Sequence, residues 1–172
     1  MAETLTTLKA RRSCRKYKPE LIEQEKLDAI IEAGTYAATG MGKQSPIIIA
    51  VTDKEMRDKL SKMNAGIMGV EFDPFYGAPE LLIVLANKEV PTYIYDGSLV
   101  MGNLMNAAAD LGVASCWVHR AKEEFESEEG KAILKDLGIE GDYEGIGHLI
   151  LGYAVTPAPK APPRKADYVY RI

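Results

Sequence analysis

The chain is poor in most of the residues that announce a chemistry. It has two cysteines, Cys14 and Cys116, with no CxxC. A disulfide framework is therefore excluded, and one bridge is the most that sulfur allows. Two histidines, His119 and His148, are too few good ligands for a zinc centre. No apolar run approaches the roughly 20 residues of a membrane span. IIIAV and LLIVLA have the length of strands. The opening MAETLTTLKARR lacks an apolar signal core and carries Glu3. A reducing, cytoplasmic location is the resulting expectation. GxGxxG, GxxxxGK[ST] and GxSxG are all absent, so neither a dinucleotide fold, a P-loop nor a serine elbow is signalled.

What is present is a concentration of charge. The chain of 172 residues has a net charge of −4, yet six of its 21 basic residues fall within KARRSCRKYK, Lys9 to Lys18. An acidic protein with so local a basic cluster is unsuited to tracking nucleic acid, which needs a broad basic face. One phosphate group is a better match. Length and a 47% hydrophobic content fit one domain with a proper core.

Periodicity supplies the elements. Residues 3–12 form a short helix that delivers the basic stretch. Leu27, Ile30, Ile31 and Gly34 mark one face of a helix over 23–37. ATGMGK is a small-residue loop, followed by the strand IIIAV. Thr52 with Glu55 reads as a capping box for a helix over 53–64. GIMGVEFDPFYGAPE (66–80) is a long connection, LLIVLA (81–86) a buried strand. The helix from Tyr93 to Leu111 carries Leu99, Val100, Asn103, Leu104, Ala107, Ala108 and Leu111 as inward residues. So apolar a helix is expected to pack on a partner subunit as well as on its own sheet. VASCWV (113–118) is a strand, Ser127 caps a further helix, and GHLILGYAV (147–155) is the last buried strand. The proline-rich TPAPKAPPRK is extended, and ADYVYRI alternates like an edge strand seeking a sheet. The order predicts an α+β domain on one mixed sheet.

In extended chain, Arg11, Ser13 and Arg15 point to one side. Two guanidinium forks and a hydroxyl then converge on one terminal phosphate. A solvated basic turn is the competing reading. Arg164 and Lys165 follow the proline arm, whose stiffness suits bringing distant charges to a shared anion; a basic tail kept for solubility is the competing reading, and alone the stronger one. Cys14 between arginines has the surroundings of a reactive thiol. With no histidine near it in sequence, it reads as a packed residue.

RRSCRKY resembles the opening R-x-S-x-R/K of the nitroreductase family of FMN-dependent oxidoreductases. AATGMGKQSP is similar to its small-residue loop, and YGAPELLIVLA to its A-P-x-x-I-V-V strand. DGSLVMGNLMNAAADLGVASCWV resembles its central helix and following strand, and GHLILGYA with PAPKAPPRK its last strand and basic tail. These pieces fall in the family's order over nearly the whole chain.

The resemblance implies a single FMN-binding domain over 1–172. Its sheet is mixed and mainly antiparallel, flanked by helices, and belongs to an intertwined homodimer with C-terminal strand exchange. It implies an NAD(P)H oxidoreductase that works by ping-pong on electron-poor acceptors such as nitroaromatics or quinones, with NADH or NADPH as donor and no nucleic-acid or membrane partner. Arg11, Arg12, Ser13 and Arg15 would hold the FMN phosphate and the flavin's polar edge, and Arg164 and Lys165 would close on the phosphate. Thr39, Gly40, Gly42 and Gln44, from the other chain, would lie along the ring. Val118 and His119 would meet its N5 side through backbone groups, and Asn103 would belong to the dimer helix. No side chain is implied as a catalytic acid or base, because the chemistry sits on flavin N5. Phe72, Phe75 and Tyr76 are candidates for the substrate face, with plain packing under a loop as the alternative.

The sequence departs from the family pattern in three places. Gly42 stands for the usual Asn, Ser45-Pro46 for Pro-Trp, and His119-Arg120 for an acid and a glycine. These leave open a second reading, a flavin-binding or flavin-sensing protein with little turnover. A third keeps the fold and changes the reaction to dehalogenation or flavin fragmentation.

Overall fold

Two long strands, Glu80–Asn87 (β2) and Tyr143–Gly152 (β4), pair antiparallel at the centre of the computed structural model, which describes residues 3–172. Pro46–Val51 (β1) lies outside β2 and Ala114–Val118 (β3) outside β4, giving the order β1-β2-β4-β3. All three strand pairs are antiparallel. A parallel contact comes from the N-terminal segment, where Ser13 bridges to Ser115. The expected mainly antiparallel α+β sheet is therefore present.

Antiparallel sheets often leave one face wet. Here β2 is buried on both faces and reads as a continuous apolar run. Leu81, Ile83, Leu85 and Ile150 point into one core cluster, Leu82, Val84, Leu149 and Leu151 into the other. Helices Gln24–Thr35 (α2) and Tyr93–Asp110 (α4) cover the second face through Leu27, Ile30, Met101 and Leu104. A Cβ on Gly34 would lie 2.9 Å from Leu104 Cγ, so glycine permits the close approach of α2 to α4. Lys54–Met68 (α3), Ala121–Glu126 (α5) and Glu128–Asp136 (α6) cover the first face through Leu60, Phe125 and Ile133. Glu3–Ala10 (α1) precedes the basic stretch. Among the described residues no helix is long and apolar enough to cross a membrane.

Several expectations are corrected. The cap of α3 is Asp53, whose carboxylate accepts the Met56 amide at 2.8 Å, rather than Thr52. α5 was hidden because its AKEEFE has one aromatic and no repeat. β4 begins at Tyr143, four residues before the expected GHLILGYAV. Leu99 does not face inward: it is 49% exposed, beside exposed Ile94 and Tyr95. ADYVYRI forms no strand within the chain, and its Tyr168, Val169, Tyr170 and Ile172 are exposed.

The long connection is organised by one carboxylate. Asp73 accepts hydrogen bonds from Arg57 Nη2 at 2.5 Å, Ser61 Oγ at 2.6 Å, and the Phe75 and Gly77 amides at 2.9 and 2.7 Å. Arg57 is buried and also donates to the Ala78 carbonyl. Burial pushes the Asp73 carboxyl up, but the bonds from Arg57, Ser61 and the two amides outweigh it and hold it below the ordinary range. A carboxyl so lowered contributes stability above its unfolded pKa and loses it as pH falls through the folded one. Asp73→Asn should cost roughly 1–3 kcal/mol at neutral pH, because Arg57, Ser61 and the two amides lose a charged acceptor while Arg57 keeps Asp58 and the Ala78 carbonyl. Thermal melts of both proteins from pH 7 downward should show the gap closing below about pH 4.

Candidate functional site

The segment Arg11 to Lys18 is extended because the sheet holds it so. The Cys14 amide donates to the Ser115 carbonyl at 2.9 Å, Lys18 to Tyr153 at 2.8 Å, and Val155 back to Lys16 at 3.1 Å. The segment floors a cleft of about 790 Å³, completed by α1, the C-terminal end of α4, the start of β3 and residues 153–159. That volume lies in the range of small-molecule sites. Arg11, Arg12, Arg15, Lys16 and Lys18 line it, with Asp110 as the one acid among the lining residues. The cleft thus attracts an anion although the whole chain is acidic.

Its arginines are incompletely used. Arg11 Nη1 and Arg12 Nε are buried without a hydrogen-bond partner. Buried guanidinium donors without partners are costly, and here they border a cleft. Arg12 folds its Nη atoms back onto the carbonyls of Arg11 and Lys9, one bond from each, and its Nε has no acceptor among the described residues. Arg15 and Ser13 are exposed, and Arg15 makes no ion pair among the described residues.

The other expected residues are elsewhere. Thr39, Gly40, Gly42 and Gln44 form a tight loop at the opposite end of α4, which at 18 residues spans about 27 Å. Within one chain, loop and cleft do not meet. The loop is pinned by Asp96 in the first turn of α4, buried to 2% exposure. Asp96 accepts from the Gly40 amide at 2.9 Å, Ser45 Oγ at 2.9 Å and Thr92 Oγ1 at 3.0 Å. A side chain on Gly40 would run into Thr92. No motif singles out Asp96, one of two aspartates in α4. Gln44 takes a positive φ of 48°, and its amide donates to Thr39 Oγ1 at 3.1 Å. A Cβ at Gly42 would meet nothing within 4 Å, so the usual Asn would have had room.

Val118 is buried at the end of β3, and His119 is exposed with its ring 5.8 Å from Trp117. The His119 carbonyl already accepts from Asn64 Nδ2 at 2.8 Å. Asn103 donates to the Ala33 carbonyl at 3.1 Å and ties α4 to α2. Arg164 and Lys165 are not brought to the cleft: residues 156–159 of the arm line it, Arg164 donates to the Pro162 carbonyl, and Lys165 sits over Tyr168. Phe72 and Tyr76 are exposed. Phe75 corrects the expectation of a substrate-facing aromatic: it is fully buried, between Arg57 and His148, and lines no open face.

Residues 8–71 match the model of the nitroreductase family. Over 158 residues the chain is 30% identical to a provisionally named NADH dehydrogenase/NAD(P)H nitroreductase of Archaeoglobus fulgidus, covering 89% of this chain and 86% of that one. The chain belongs to the nitroreductase family. Crystal structures agree. A Bacteroides fragilis nitroreductase with bound FMN matches with a TM-score of 0.90 and 29% identity over 100% of both chains. A Desulfitobacterium hafniense nitroreductase, also with bound FMN, matches at 0.87 and 28% identity, again over 100% of both.

Within this nitroreductase-family chain, Asp96→Ala should free the 39–45 loop and cost roughly 1–3 kcal/mol, because the Ser45 and Thr92 hydroxyls and the Gly40 amide lose their acceptor. Hydrogen exchange at the Gly40 amide should accelerate, while amides of β2 keep their protection.

Proposed function

We propose that the chain is an FMN-dependent oxidoreductase using NADH or NADPH, with residues 1–172 acting as one FMN-binding domain within a homodimer. The observation that carries the reading is the basic cleft with its unpartnered Arg11 and Arg12 donors. These residues fit a phosphate ester: forked donors, a hydroxyl at Ser13, and little competing acid. Family membership and FMN in two structural relatives support the same cofactor.

Arg11, Ser13 and Arg15 would bind the phosphate, with Lys16 and Lys18 adding to the field. Arg12 Nε would face the flavin's polar edge. Thr39 to Gln44 would come from the second copy, since one chain keeps loop and cleft at opposite ends of α4. The exposed apolar residues Tyr36, Met41, Ile94, Tyr95 and Leu99 support such pairing. So does the unpartnered tail Tyr168 to Ile172, which would add a strand to the other copy's sheet. Arg164 and Lys165 would then complete the anion site. Bound there, FMN would supply hydride chemistry at N5 between a nicotinamide donor and an electron-poor acceptor such as a quinone or nitroaromatic. The chain's own task is to bind, orient and exclude water, and no side chain is assigned as acid or base.

Arg15→Glu should weaken FMN at least ~10-fold, since hydrogen bonds to charged groups are worth about 1.5–3 kcal/mol. Absorbance after soaking in FMN and desalting reads it: two flavin bands at one FMN per chain for the wild type, and loss in the variant. Stoichiometric flavin in the variant would overturn the phosphate assignment. Anaerobic NADH or NADPH then separates the two readings left open: rapid bleaching marks an oxidoreductase, and an unchanged spectrum marks a flavin carrier.

A further inference from the structure

Both cysteines of the chain belong to one core cluster, Cys14 at the floor of the cleft and Cys116 beneath it. Ser13 pairs with Ser115 in parallel register, and the Cys14 amide donates to the Ser115 carbonyl at 2.9 Å. Carried one step further, that register would set Cys14 opposite Cys116. Successive side chains alternate between faces, so Cys14 and Cys116 share the face opposite Ser13 and Ser115. Packing agrees: Cys116 is buried in the core cluster on that face, and half-buried Cys14 packs against the same cluster. Tyr17 gives a second sign. Its hydroxyl donates to the Cys14 carbonyl at 2.9 Å. Burial raises the Tyr17 pKa far above its ordinary value, and Cys14 and Cys116 both push it the same way, as only groups close to one ring would.

We propose that Cys14 and Cys116 form a reversible intrachain disulfide that staples the arginine-bearing segment to the sheet. Neighbouring strands lie about 4.8 Å apart, within the roughly 4.4–6.8 Å between Cα atoms that a disulfide spans. Each thiol now holds a weak bond, Cys14 Sγ to the Lys16 carbonyl at 3.3 Å and Cys116 Sγ to the Trp117 carbonyl at 3.6 Å. Both are cheap to release. Cys14 lines the cleft and meets the oxidant; Cys116, buried behind it, resolves.

The oxidant is a hydroperoxide. It converts the Cys14 thiol to a sulfenic acid: the O–O bond breaks, one oxygen passes to sulfur, and the other leaves as water or alcohol with the thiol's proton. The Cys116 sulfur then attacks the Cys14 sulfur. The S–S bond forms, the S–O bond breaks, and the hydroxyl leaves as water with the Cys116 proton. Two thiols give up two electrons and two protons to one peroxide. A dithiol reverses the step by thiol–disulfide exchange.

The staple closes the stretch from Cys14 to Cys116, well over half of the chain, so it should restrict the unfolded state strongly. The segment is otherwise tied to β3 and the β4 extension by a few backbone bonds.

The test is hydrogen peroxide on the native full chain, followed by alkylation, intact mass and tryptic mapping. The expected product is about 2 Da lighter than the reduced chain, contains a peptide pair joining Cys14 to Cys116, and returns to reduced mass with a dithiol. It should melt several degrees higher than the reduced form. Cys14→Ser, at a half-buried position, should give no crosslink and no such shift, and Cys116→Ala should leave Cys14 to gain oxygen instead. Gains of about 16 or 32 Da at Cys14 in the wild type, or a bridge between two chains without the intrachain pair, would overturn the proposal.

Discussion

Burial of β2 and β4 on both faces is the constraint from which the rest follows. Once a four-stranded sheet is apolar on both sides, it needs two helical covers rather than one. α2 and α4 supply the first, α3, α5 and α6 the second. α4 has the larger task, because it packs on the sheet and on α2 while leaving Ile94, Tyr95 and Leu99 outside. Its length separates its ends, and each end carries a different polar device. At the start stands Asp96 with three donors; at the finish the basic cleft opens.

The two devices use charge in opposite ways. Asp96 is buried and saturated, so its role is positional: it fixes the turn that glycines 40 and 42 allow. The arginines are the reverse, with buried nitrogens left unsatisfied. A fold tolerates that where another molecule provides the missing acceptor. Asp73 belongs with Asp96. It turns a loop of three aromatics into an ordered structure, which is why Phe75 points into the core.

Much of this was legible beforehand. The strands are apolar runs, and the helices show 3.6-residue periodicity. The basic stretch was visible as charge, whereas its extended geometry was only the condition under which Arg11, Ser13 and Arg15 would share one side; the helix expected over 3–12 stops at Ala10. What escaped depends on contacts between distant residues. Asp53 rather than Thr52 caps α3 because only one of two adjacent candidates can reach the Met56 amide. Leu99 looked like core because periodicity reports apolarity and does not tell a core from a face left for a partner. Asp96 and Asp73 gave no pattern, since each gathers partners from a separate element, Gly40 and Ser45 for the first and Arg57 and Ser61 of α3 for the second. Arg164 and Lys165 sit on an arm with no strand to hold it.

The strand order also has a history. β2 finds β1 early, as both are made within the first half of the chain, but its other neighbour arrives much later: Glu80 pairs with Leu151 and Asn87 with Tyr143. During synthesis the most apolar strand of the protein waits with one edge open until the ribosome has released β4. Distant pairing of this kind slows folding and exposes a sticky edge meanwhile. The nascent chain therefore has a vulnerable interval that the finished molecule does not show.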